Sequence, residues 1–153
     1  LHYMNMTNDK ITLGALGEQV IYELFENAKK TNDWFDSTKD GTITDDDGTI
    51  KTYEVKTMRA NNKHQGLFQN PTQFKKLDNV DLNLWVRVPE KVEDRIRVYE
   101  YFANDYDEVH MNGTDGRMYP ISKMEHVATV DNLEITEQML ELSKGLSVHK
   151  RFK

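Results

Sequence analysis

The sequence contains no cysteine. That excludes a disulfide framework, a thiolate nucleophile and a cysteine-ligated zinc. It also lacks any apolar run approaching the ~20 residues a membrane span needs, so no membrane association is expected. The opening "LHYMNMTNDK" has no apolar stretch of the kind a secretory leader carries, and a cytoplasmic location is expected. Histidine is sparse: His2, His64, His110, His126 and His149 are scattered and form no metal-binding spacing. There is no internal repeat, low-complexity tract or Pro/Gly/Ser linker, and nothing that asks for a small-molecule cofactor. A single domain over residues 1–153 is the simplest organisation.

Basic charge is also short overall, with a net charge of -6. Taken whole, that weighs mildly against a protein whose affinity comes from neutralising phosphates. The charge is unevenly placed, however. Residues 56–76 hold Lys56, Arg59, Lys63, Lys75 and Lys76 and no acid, and the tail "KGLSVHKRFK" is basic again. Local fields of this kind matter more than the sum.

Apolar spacing predicts a helix over residues 12–30, with Thr12 as its cap. Glu18 falls at the edge of its apolar stripe. Gly14 and Gly17 cost helix stability and imply close backbone approach. Strands are expected near 33–38, 40–45, 49–57, 82–89 and 95–102, and a short proline-led helix at 71–77. Residues 58–70 and 103–120 read as loops, and 121–145 as one or two helices with Thr136 as a cap. The result is an α/β (α+β) domain with a mixed sheet flanked by helices. Its core is expected over about 12–102, and residues 103–153 supply a loop and helices.

What the chain does have is a dense charged hairpin, "KDGTITDDDGTIKTYEVKT", at residues 39–57. On its second strand Glu54 and Lys56 share one face, and Tyr53, Val55 and Thr57 the other. Two registers are open. A three-residue loop, Asp46-Asp47-Gly48, sets Asp40 opposite Glu54. A two-residue loop sets it opposite Val55. In the first register two carboxylates come close, and something cationic must offset them: Lys56, or a divalent ion held by hard oxygens. Asp40, Glu54 and Lys56 would then form a minimal kit for metal-assisted phosphodiester hydrolysis. The plain alternative is a solvated strand pair beside an acidic turn. Asp45, Asp46 and Asp47 are turn-formers and do not fit a calcium-loop pattern.

"GALGE" on the first helix, then "KDG", then the hairpin into "YEVKT" resembles the PD-(D/E)XK nuclease superfamily, most of all its small phage or mobile-element endonucleases. The resemblance covers about residues 12–88. It implies a restriction-endonuclease-like core and a Mg²⁺-dependent endonuclease, with Mn²⁺ as a substitute ion, that hydrolyses DNA by attack of a metal-activated water. It assigns catalytic roles to Glu18, Asp40, Glu54, Lys56 and Gln73. Metal contacts fall to Asp40, Glu54 and the carbonyl of Val55. Arg59, Lys63, Lys75 and Lys76 would approach the DNA backbone. Cutting two strands with one small domain favours a homodimer, and a phage-encoded protein would act in the host cytoplasm. The rival is a catalytically inactive nuclease-fold module that binds nucleic acid or serves as a regulatory or interaction protein.

Overall fold

The structure is a computed structural model, which describes residues 10–25, 28–30, 40–60, 65–91, 93–132 and 134. It is an α+β fold in which strand predominates. Helix α1 spans Lys10–Leu24. The strands are β1 (Lys29–Lys30), β2 (Gly41–Thr44), β3 (Ile50–Arg59), β4 (Gly66–Gln69), β5 (Leu82–Val88), β6 (Ile96–Tyr101), β7 (Asp107–Met111), β8 (Thr114–Pro120) and β9 (Glu125–Val130). A second helix, α2 (Pro71–Phe74), and a 3-10 turn at Leu77–Asn79 lie between β4 and β5.

Two sheets form. The main one runs β2-β3-β5-β6-β9 and is extended at its β2 edge by the two-residue β1. It is mixed: β3 and β5 are parallel and the remaining pairs antiparallel. The second sheet is antiparallel in the order β4-β8-β7.

Alternation along the strands builds three layers. Tyr53 and Val55 of β3, Leu84 and Val86 of β5 and Val98 of β6 face one way and meet Leu16, Val20 and Ile21 of α1. The opposite face carries Trp85, Tyr99 and Tyr101, which pack against Leu67 and Tyr119 of the second sheet. Glu54 and Lys56 belong by alternation to this second face. The E-x-K strand is therefore flanked by α1 behind and the second sheet in front.

Several expectations need correction. Helix α1 ends at Leu24 instead of residue 30, because the chain at Lys29–Lys30 pairs with Thr42 and Gly41. Thr12 lies inside the helix and is not its cap. Residues 66–69, read as loop, are β4. Residues 107–120, also read as loop, form the β7–β8 hairpin, turned by Asn112 and Gly113 with positive φ of 53° and 77°. The helices expected over 121–145 are replaced, through residue 130, by a 3-10 turn (Ile121–Lys123) and β9. Since β9 pairs with β6 and the β4–β8–β7 sheet covers the second face, the core extends well beyond residue 102. The strand expected at 33–38, the cap at Thr136 and the basic tail lie outside the described residues. Among the described residues no helix is long and apolar enough to cross a membrane.

The two glycines of α1 differ. A Cβ built on Gly17 would run into the side chain of Thr57 on β3, whereas one on Gly14 meets nothing. Close approach thus accounts for Gly17 and not for Gly14. Gly17→Ala should destabilise the fold by about 1–3 kcal/mol, the usual cost of overpacking. Gly14→Ala should leave stability unchanged or raise it by up to about 1 kcal/mol. Urea unfolding of both variants checks the contrast.

Candidate active site

The hairpin takes the three-residue register. Asp45 N–H donates to the Thr49 carbonyl at 2.8 Å, and Gly41 stands opposite Tyr53, Thr42 opposite Thr52. The turn is held by Gly48 at φ 86° and by Asp47 Oδ1, which accepts from Thr49 N–H at 2.9 Å. Lys51 pairs with Asp45 at 3.1 Å. The aspartates at 45 and 47 thus have structural employment, as their turn chemistry implied.

Counting the same ladder back, Asp40 comes opposite Glu54. It does not continue the strand, however, but bends. Its N–H donates to the Tyr53 carbonyl at 2.8 Å, and its Oδ2 accepts from Val55 N–H at 2.7 Å. The carboxylate is therefore drawn toward the β3 edge where β2 ends. In a strand the N–H and C=O of one residue point to the same edge. The Val55 carbonyl accordingly points to the side on which Asp40 lies. Two carboxylates and a carbonyl are the hard oxygen donors that suit Mg²⁺.

Two buried tyrosines report on the charges around this edge. Burial pushes the Tyr53 hydroxyl well above the ordinary tyrosine range, and Tyr22 and the negative charges of Glu18 and Asp40 add to the effect. Burial raises Tyr101 in the same way, with Glu54 and Asp40 adding and a hydrogen bond from Gln69 opposing. Asp40 thus bears on both hydroxyls, Glu18 on the one in the α1 layer and Glu54 on the one beneath the second sheet. Among the described residues, no three His, Cys, Asp or Glu side chains gather closely enough to hold a metal ion. Glu18, whose charge bears on the Tyr53 hydroxyl, belongs to no such group among the described residues.

The register across the main sheet extends the row. Glu54 stands beside Asn83 of β5, which stands beside Tyr101 of β6. Lys56, Trp85 and Tyr99 form the next row. Burial deepens along the first: Asp40 and Glu54 are half-buried, Asn83 is 6% exposed and Tyr101 2%.

Other predicted residues lie elsewhere. Gln73 is a helix cap: its side chain accepts from Asn70 N–H at 2.9 Å while Asn70 caps Gln73 N–H in return. A second glutamine, Gln69, lies on β4, which the sequence reading took as loop. It is buried, and its Nε2 donates to the Tyr101 hydroxyl at 2.7 Å. Arg59 falls by alternation on the α1 face, away from Glu54, and donates to the Pro89 carbonyl at 3.1 Å. Lys75 is exposed and Lys76 half-buried, just after α2. Lys63 lies outside the described residues.

A cleft of about 590 Å³ opens on the second sheet, where the Arg117 guanidinium sits 4.1 Å from the ring centres of both Phe74 and Tyr106. None of Glu18, Asp40, Glu54 or Lys56 lines it. Glu108 and Asp115 also line it, and Asp115 pairs with His110 at 2.7 Å.

No protein-family model matches this chain, and no curated protein does. The reading of the site therefore rests on its residues and geometry.

Two outcomes follow from that geometry. Asp40→Ala removes a charge-assisted acceptor from Val55 N–H and should cost about 1–3 kcal/mol. Asp40→Asn keeps an acceptor there and should cost clearly less in the same urea titration. Tyr53 and Tyr101 have raised folded-state values, so the native protein keeps protons that the unfolded chain loses. Their contribution to stability is complete below the ordinary tyrosine value of about 10 and declines as pH rises above it. Urea midpoints compared at about pH 9 and about pH 11 should show the fall, and a Tyr53→Phe, Tyr101→Phe double variant should show less of it.

Proposed function

We propose that this chain is a Mg²⁺-dependent endonuclease with a restriction-endonuclease-like core, acting on DNA phosphodiester bonds. The observation that carries the reading is the bend at Asp40. It brings a carboxylate onto the edge of the E-x-K strand, hydrogen-bonded beside Val55, in the register that pairs it with Glu54. The acid-edge, acid-x-lysine arrangement is what metal-assisted hydrolysis requires.

In this reading Asp40, Glu54 and the Val55 carbonyl hold the ion. When bound, it would lower the pKa of a water and screen the phosphate's charge. Lys56 shares the Glu54 face one step along the strand and supplies positive charge where the phosphate becomes more negative. Glu18, at the α1 side of the same edge, adds negative charge that favours a cation there. Among the described residues, the exposed Lys75 and the half-buried Lys76 would supply basic contacts with the DNA backbone. Arg59 and Gln73 have structural partners in Pro89 and Asn70, and this reading gives them no part in the chemistry. Cutting both strands would use a homodimer.

A second reading, a non-catalytic nuclease-fold module that binds nucleic acid or regulates another protein, has one observation in its favour. The described acidic side chains do not gather into a three-ligand cluster. Cleavage assays separate the two. Plasmid DNA incubated with Mg²⁺ or Mn²⁺ should be nicked or linearised by the wild-type protein and left intact with EDTA. Glu54→Gln, Asp40→Asn and Lys56→Ala should each lose at least about 100-fold in rate, the scale of removing one electrostatic element from such a site. Arg59→Ala and Gln73→Ala should retain rates within a few-fold. Equal cleavage by wild type and Lys56→Ala, or none by either on duplex, branched and single-stranded DNA, would establish the second reading instead.

A further inference from the structure

The cleft on the second sheet is built around an arginine that passes over its nearest acid. Arg117 of β8 stands directly opposite Glu108 of β7 in the antiparallel ladder. Opposite charges so placed ordinarily pair across the strands. Here the guanidinium makes no ion pair with any acid among the described residues. It lies instead 4.1 Å from the ring centres of both Phe74 and Tyr106. Its Nη1 donates to the Tyr119 hydroxyl at 3.3 Å and to the Ala103 carbonyl at 3.5 Å. Nε and Nη2 donate to nothing among the described residues, and neither is sealed from solvent. Rings and hydrogen bonds thus hold the guanidinium in place and leave two of its nitrogens open. The side chain lines a cleft of about 590 Å³.

A held guanidinium with two open donors is a fork for an oxyanion. Two further features narrow the ligand. Charge in the cleft is close to balanced, Arg117 against Glu108 and His110 against Asp115. A bare anion therefore gains little from the surrounding field. The walls, however, offer apolar surface beside the fork, from Pro71, Phe74, Tyr106 and Val109, and the volume suits a small organic molecule. A ligand that joins a flat apolar body to an oxyanion uses both. We propose that this cleft is a nucleotide site: the open edge of Arg117 receives the phosphate of a nucleoside monophosphate, and the apolar walls take its base. A free mononucleotide and the phosphorylated end of a DNA strand carry the same chemistry. None of Glu18, Asp40, Glu54 or Lys56 lines the cleft, so the inference does not rest on the nuclease reading.

Isothermal titration calorimetry on the full chain tests it, in EDTA so that no metal-dependent binding at the β2–β3 edge contributes. Deoxyadenosine monophosphate should bind. Deoxyadenosine and inorganic phosphate should each bind at least about tenfold more weakly, the scale of losing one hydrogen bond to a charged group. Arg117→Lys keeps the charge and loses the fork, and should weaken monophosphate binding by a similar factor. Glu108→Gln, at an exposed position, removes the negative charge opposite the fork and should tighten binding a few-fold. Competition then separates the two sources. Displacement by a terminally phosphorylated oligonucleotide but not by its unphosphorylated twin supports the proposal with a strand end as ligand. Displacement by neither supports it with the free nucleotide, and equal displacement by both overturns it. No binding of the monophosphate at millimolar concentration, or binding matched by deoxyadenosine or by inorganic phosphate, overturns it as well. So does an unchanged affinity in Arg117→Lys. If that variant fails to fold, Glu108→Gln decides: tighter binding supports the proposal, and unchanged or weaker binding overturns it.

Discussion

The three-residue turn at Asp46–Gly48 constrains everything built around it. A slip of one residue in an antiparallel pair exchanges the faces of a whole strand. Gly48 adopts the left-handed backbone that this loop needs, and Asp47 closes it by accepting from Thr49 N–H. From there the ladder runs back to Gly41, and the next residue is the acid that bends onto the β3 edge. With a two-residue loop Asp40 would stand opposite Val55, and the row from Asp40 to Tyr101 would not exist.

The second constraint is the close approach of α1 to β3. Gly17 lets the helix backbone settle against Thr57, and the next residue is Glu18. The absence of one side chain thus sets how near the helix that carries Glu18 lies to β3. Glu18 and Asp40 both act on the Tyr53 hydroxyl, the trace of that proximity in the chemistry of a neighbour.

The α1 helix, the hairpin and β5 and β6 were legible because their patterns are strong: helical apolar spacing, an Asp-Gly turn, and alternating apolar residues in "LNLWVRV" and "RIRVYEY". Much of the second sheet and β9 left weaker marks. β7 is exposed at four of its five positions, so it has no apolar face to announce it. β9 lies at the sheet edge, and its first three residues are exposed. β4 has four residues and opens on a glycine. One signal was available and unused: Asn112-Gly113, the residue pair that favours a tight two-residue hairpin turn. That omission also hid a buried glutamine. The nuclease resemblance points to Gln73, whose side chain takes part in the capping box with Asn70, whereas Gln69 is the buried partner of Tyr101.

Burial along the Asp40–Glu54–Asn83–Tyr101 row indicates the direction from which a substrate could come. The Tyr101 end is closed by the second sheet and tied to it through Gln69. The Asp40 end lies at the termination of β2 and is only half-buried. If the proposed nuclease reading holds, a phosphodiester too bulky to enter the seam would meet Glu54 from the β2 side, where Asp40 and the Val55 carbonyl also point. On this geometry the second sheet is a backstop: it screens the inner end of the row from water and leaves the acids at the outer end accessible.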